Sequence, residues 1–243
     1  MKNRFIHFLP LLCLTALTAC FDPSEPEYLY TNLYAFGIVE GGQIRIEPDG
    51  ITFAVVEDKS DQHWMAHHRI FLCCDVLRMT DETSYEVRLN SYETVNSKPV
   101  LVKSETDESV YGTDAVSFDQ DWGLDSRQRT LNMALRFTAL KNSETTHTID
   151  LVYDDQRSHR DTMFFALHHQ GHGESYENTD HEATDFEIRP AYMTFSLSNA
   201  PVPEGAGSSI VICIEWDWFV PNGLQFLSRE TRREKVCGTL YLP

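Results

Sequence analysis

The chain has 243 residues, with 37 Asp and Glu against 20 Lys and Arg, for a formal charge of −17 at pH 7. So acidic a balance excludes nucleic acid and anionic headgroups as partners held by charge, because phosphate binding needs clustered cations. With 42% apolar residues the chain can bury one large or two small cores.

Residues 1–19 read as a secretory leader. Lys2 and Arg4 precede an apolar run from Phe5 to Leu17 that is too short to span a membrane. Leu17-Thr18-Ala19-Cys20 resembles the lipobox of bacterial lipoproteins. The resemblance implies cleavage before Cys20 and lipidation of its thiol, which anchors the chain by several acyl groups. Removing Lys2 and Arg4 with the leader leaves 18 cations against 37 carboxylates. Residues 20–27, "CFDPSEPE", then form an acidic tether. Position 21 is Phe rather than the Asp that retains many lipoproteins at the inner membrane, so the outer membrane is expected, facing either the periplasm or the cell surface.

Beyond the tether, apolar residues alternate with a period of two and no long amphipathic helix appears, so an all-β chain is predicted. Strands are expected at 29–39, 43–47, 51–57, 69–79 and 84–95, with "EGGQ" and "EPDG" as turns. Five strands in so short a span suit an OB-like barrel over residues 28–104. Residues 105–129 are polar and non-periodic and read as a linker. Residues 130–243 offer strands at 130–140, 147–154, 162–170, 191–199, 208–219 and 235–242, enough for a β-sandwich.

Leu131-Asn132 opening a strand, His147 leading "HTIDLVYD" and a following strand ending in His169 resemble the C-terminal domain of the NigD-like lipoproteins. "HHRIFLCCDVL", with Arg69 at the strand start, and "YEVRLNSYETV" resemble that family's OB-like N-terminal domain. The resemblance implies a barrel followed by a sandwich, and a role suspected to be bacteriocin immunity, with no enzymatic activity attached.

Motifs for catalysis are missing: there is no G-x-S-x-G, H-E-x-x-H, Walker loop, paired C-x-x-C or G-x-G-x-x-G. No cofactor and no catalytic residue is therefore expected. The expected activity is sequestration of a protein or glycan ligand, with a glycan-binding accessory lipoprotein and a metal-dependent hydrolase as alternatives. His63 and His67 are four apart but lie in a non-periodic connection, so they read as surface histidines. Trp216 and Trp218 share parity with Ile210, Ile212 and Ile214 and read as core rather than as a sugar platform. The basic run "RETRREK", 229–235, reads as a solvated loop.

Two strand pairings follow from apolar pattern. Matching Ile210, Ile212 and Ile214 to Leu240, Gly238 and Val236 sets Cys213 opposite Cys237 at bridging distance, so a disulfide is expected there in an oxidising envelope. Cys73 and Cys74 point to opposite faces of one strand and are expected to stay thiols. Matching Ile149 to Leu167, Leu151 to Phe165 and Tyr153 to Met163 makes His147 and His169 cross-strand neighbours, with His168 pointing away. A metal site of His147, His169 and His172 is geometrically conceivable, but a structural histidine pair without metal is the expectation.

Overall fold

A computed structural model describes residues 28–47, 50–60, 67–107, 110–176, 180–220 and 230–242, without the side chains of 118–122. The leader, Cys20, the tether, and His63 lie outside these residues. The described chain is all-β.

Five strands, β1 (Tyr30–Glu40), β2 (Gln43–Glu47), β3 (Thr52–Asp58), β4 (Arg69–Asp81) and β5 (Ser84–Thr94), close into a barrel in the order β1-β2-β3-β5-β4. β1 returns to pair with β4, and β3 runs parallel to β5, so the barrel has no free edge. Alternation fills its interior with Ile44, Ile70, Leu72, Cys74, Val87 and Leu89, all essentially inaccessible. Cys73 and Cys74 are buried free thiols, and burial pushes the Cys74 thiol up to about 12.

The remaining strands are β6 (Asn96–Pro99), β7 (Leu101–Val102), β8 (Val116–Asp125), β9 (Thr130–Leu140), β10 (Thr148–His159), β11 (Thr162–Gln170), β12 (Phe186–Ser196), β13 (Ser209–Phe219) and β14 (Thr231–Tyr241). They form a five-stranded sheet, β14-β13-β11-β10-β7, facing a four-stranded one, β6-β12-β9-β8. Leu131, Met133 and Leu135 of β9 meet Leu151, Phe165 and Ile212 of the opposite sheet in one core.

Three expectations are corrected here. The segment 105–129 is not a plain linker: Val116–Asp125 pairs along β9, with a register shift between Phe118 and Trp122. Residues 96–102, assigned above to the barrel, also belong to the sandwich, through β6 on β12 and β7 on β10. "NSKP" is too short and polar to announce a strand, and acidic residues interrupt the alternation in β8. Finally, Thr231–Lys235 of the basic run is the start of β14 rather than a loop. There Arg233 makes a two-pronged contact with Asp217 across the pair, at 2.9 and 2.7 Å.

β13 and β14 pair in the expected register, Ile210 with Leu240 and Ile214 with Val236. Cys213 and Cys237 lie directly opposite, with α-carbons 4.1 Å apart, and are joined by a disulfide. The β10–β11 hairpin differs from expectation by two residues. Leu151 pairs with Leu167, Tyr153 with Phe165 and Ile149 with His169. The turn falls at Arg160–Asp161, beyond Ser158, and β10 is irregular between Asp154 and His159. Ser158 stitches that irregularity, its hydroxyl donating to the Asp154 carbonyl at 2.7 Å and accepting from the Phe164 amide at 2.9 Å. A two-residue slip keeps every side chain on its face, so apolar pattern alone could not detect it.

The outer face of the four-stranded sheet packs on the barrel. Glu47 of β2 is 5% exposed and accepts hydrogen bonds from Arg69 and, at 3.2 Å, from Asn132 of β9, whose carbonyl oxygen accepts from Thr194 at 2.6 Å. Burial drives the Glu47 carboxyl above its ordinary range, although Arg69 and Asn132 oppose the shift. Beside it Phe71 of the barrel stacks on Tyr192 of β12 with centroids 4.2 Å apart.

Candidate functional site at the open flank of the sandwich

β6 covers β12 only from Met193 to Ser196, and β7 covers β10 only at Val152 and Tyr153. Among the described residues, Phe186–Ala191 of β12 and Thr148–Leu151 of β10 therefore have no strand beside them on that flank. Between the two half-covered edges lies a cleft of about 650 Å³, bounded by Glu93, Asn96, Phe137, His147, Arg189 and Tyr192. It closes where Lys98 of one sheet meets Asp150 of the other at 2.5 Å. Arg189 is held by Glu187 at 2.7 Å and donates to the carbonyls of Leu140 and Ser143 at 3.1 and 3.3 Å.

His147 and His169 meet behind this cleft. His169, 1% exposed at the end of β11, has Nδ1 3.1 Å from the Ala115 carbonyl. A carbonyl only accepts, so Nδ1 carries the proton and Nε2 is an acceptor. His147 Nδ1 lies 2.9 Å from that Nε2 and must be the donor. The remaining nitrogen, His147 Nε2, faces Glu174 Oε2 at 3.4 Å. Phe137 packs against both rings, with centroids at 4.7 and 5.0 Å.

Burial dominates the ionisation of this row. It pushes His169 down to about 4, helped by the neighbouring His147, and lowers His147 despite the attraction of Glu174. For Glu174, burial would raise the carboxyl, but hydrogen bonds from Ser143 and Thr145, joined by His147 Nε2–H whenever that ring carries a second proton, outweigh it and hold it below the usual range. Both nitrogens of each ring thus face other protein groups, and the Ser143 hydroxyl donates to Glu174 rather than to a histidine.

The three histidines of the conceivable metal site are not brought together. His147 and His169 touch, but at 2.9 Å their nitrogens are at hydrogen-bond distance, nearer than the separation of about 3.3 Å implied by two tetrahedral ligands on zinc. His172 is exposed, in a left-handed turn with φ of 51°, followed by Gly173 at 96°. That turn brings in Glu174, which the sequence reading missed. Its signal was the Gly171-His172-Gly173 triplet, which lets the chain double back at once. Among the described residues no three His, Cys, Asp or Glu side chains are grouped to hold a metal ion. His168 points to the opposite face, as its parity requires, with Nδ1 3.0 Å from the Gly112 carbonyl and Tyr111 stacked on it at 5.0 Å. His67 is an exposed turn residue, Trp216 is buried in the sandwich core, and Trp218 packs at its end beside Phe219.

No model of a known family matches the sequence, and no curated protein does. Solved structures do. A NigD-like immunity protein from Bacteroides caccae ATCC 43185 superimposes with a TM-score of 0.55 at 16% identity, over 86% of this chain and 94% of that one. A protein described as a candidate lipoprotein, from Bacteroides fragilis NCTC 9343, gives 0.57 at 13% identity over 87% and 99%. A toxin-related protein from Parabacteroides distasonis ATCC 8503 gives 0.54 at 16% identity over 85% and 92%. At such identities the likeness is one of fold, and it spans barrel and sandwich together.

Proposed function

We propose that this chain is a non-catalytic lipoprotein of the NigD-like kind, anchored through Cys20 in the outer membrane, that binds and sequesters an incoming ligand at the cell envelope. The observation that carries the proposal is the flank cleft. It is large enough for a ligand, has a polar and charged rim, and has the His147 and His169 rings behind it engaged with each other and with the protein. Binding is the function such a site supports, since sequestration requires complementarity and no reacting group. The fold neighbours support the same reading, one described as an immunity protein and another as toxin-related.

The glycan-binding alternative rests on Tyr192 at the cleft wall, whereas the hydrolase alternative lacks a convergent metal or acid–base set among the described residues. The test is protection. A strain lacking the gene is challenged with culture supernatants of bacteriocin-producing neighbours, then complemented with the intact chain or with Cys20→Ser. The intact chain should restore survival and the unanchored variant should not. Equal killing of all three strains overturns the immunity reading, and full rescue by Cys20→Ser overturns the need for an anchor.

A further inference from the structure

We propose that the flank cleft holds a bulky apolar side chain of a cationic partner polypeptide, seated on the exposed margin of the sandwich core with a neighbouring Lys or Arg against Glu93. This inference deepens the reading of the chain as a binding protein and rests on it.

Beyond the ends of β6 and β7 the sandwich core comes to the surface. Phe137 of β9, Ile149 of β10 and Met193 of β12 belong to that core yet keep 9, 6 and 7% of their surface exposed, whereas Leu131, Leu135, Leu151 and Phe165 deeper in it keep 1% or less. With partly buried Ala191 these three line the cleft and give it an apolar floor drawn from both sheets. A floor of four side chains suits one large aromatic or aliphatic residue, and a long acyl chain would overrun it. Met193 supplies a flexible, polarizable thioether, which packs against rings and branched chains alike. Burying one large apolar side chain on such a floor is worth about tenfold or more in affinity.

The rim around this floor is polar, with Thr94, Asn96 and Thr148, so the cleft has the apolar centre and polar surround of an interface pocket that takes an anchor residue. Charge selects the partner that carries the anchor. Lys98 is matched by Asp150 and Arg189 by Glu187, and Arg189 also donates to the carbonyls of Leu140 and Ser143. Exposed Glu93, which β5 of the barrel brings to the rim, makes no ion pair with a described residue. An anionic ligand therefore meets cations that are already matched. A cationic one meets an excess carboxylate on a chain of formal charge −17, which also favours its encounter. A sugar finds little to stack on, because Phe137 packs against two histidines and Tyr192 stacks on Phe71.

The probe is a displayed library of random linear dodecapeptides, selected on the mature chain carrying Cys20→Ser. Selected peptides should carry a bulky apolar residue beside Lys or Arg, and on binding should shift the methyl resonances of Ile149 and Met193. Replacing that apolar residue of the peptide by Ala should weaken binding about tenfold or more. Glu93→Gln, at an exposed position, should weaken binding about threefold at low salt and leave it unchanged at high salt. Ala191→Leu fills the floor and should block binding. Because the methyl shifts and the peptide series use an unsubstituted cleft, a folding defect in that variant leaves the inference testable. Enrichment of no peptide, enrichment of acidic peptides, or shifts confined to other methyls overturns it. So does a neutral glycan that shifts those two methyls where no peptide does, although sequestration would then stand with another ligand. Survival in the protection assay without peptide contacts at the cleft sinks this inference alone, whereas peptide contacts there without survival overturn the immunity reading alone.

Discussion

Reducing the bond between Cys213 and Cys237 would free the outermost strand of the five-stranded sheet from its only covalent tie. The bond closes a loop between positions 24 apart in sequence. For a loop of that length, the loss of chain entropy in the unfolded state is worth about 3.4 kcal/mol at 25 °C. With a urea dependence of about 2 kcal/mol/M for a unit of this size, the midpoint should fall by about 1.7 M on reduction. The assay is urea unfolding of the mature chain followed by tryptophan fluorescence, to which the buried Trp216 on β13 contributes, with and without reductant. The double variant Cys213→Ala, Cys237→Ala should match the reduced protein. Alkylation in denaturant should meanwhile count two reactive thiols, Cys73 and Cys74, in the oxidised mature chain carrying Cys20→Ser. Midpoints coinciding within about 0.3 M would refute the reasoning, because a loop closed only by this bond must then cost the unfolded state almost nothing.

The histidine row predicts a pH dependence. His169 binds its proton at about 4 when folded against an ordinary 6.5, so its contribution is fully present above the unfolded value and is lost as pH falls towards 4. Wild type and His169→Gln should diverge in unfolding free energy by about 3 kcal/mol across that window; a constant difference would refute the assignment. Gly112→Ala should destabilise the sandwich by about 2 kcal/mol or more, since its Cβ would meet the His169 carbonyl oxygen at 1.9 Å, a backbone atom that cannot step aside. Thermal melting reads this, and an unchanged midpoint would contradict the packing. Glu47→Ala should cost about 3 kcal/mol by leaving Arg69 and Asn132 without their shared acceptor at the barrel–sandwich junction, and Glu47→Gln should cost less. Equal costs for the two would show that charge, not the Asn132 contact, carries the effect.

How far the fold could be read from the sequence depended on where alternation was clean. β13 and β14 are half buried, so a one-residue slip would turn Ile210, Ile212 and Ile214 outward, and among the registers that keep them inward the bonded pair Cys213 and Cys237 marks the one adopted. β10 and β11 tolerate a slip of two because Leu, Phe, Tyr and Ile recur on one face, and the deciding contact is the Ser158 hydroxyl, which leaves no periodic trace. β6, β7 and β8 were hidden for another reason. They are short, parallel or interrupted by acidic residues, and owe their conformation to the strands they lie on. In the candidate site, parity alone brings His147 and His169 to one face. Glu174 arrives through a left-handed turn, and the flank cleft through two sheets that are each covered over only half an edge. Both are properties of tertiary arrangement, which no local pattern encodes.

Only Val95 separates the end of β5 from the start of β6, and it is buried with Phe36, Phe71 and Ala134. There is no slack in that joint. The barrel and sandwich must therefore turn together, and the flank cleft keeps a constant bearing relative to the barrel end where the chain enters at Tyr30. With Cys20 as the membrane attachment proposed above, the stretch from Cys20 to Tyr30 reaches at most about 35 Å. A ligand arriving at the membrane would then meet the cleft at a standoff set by the protein's own length, like an instrument on a short mast.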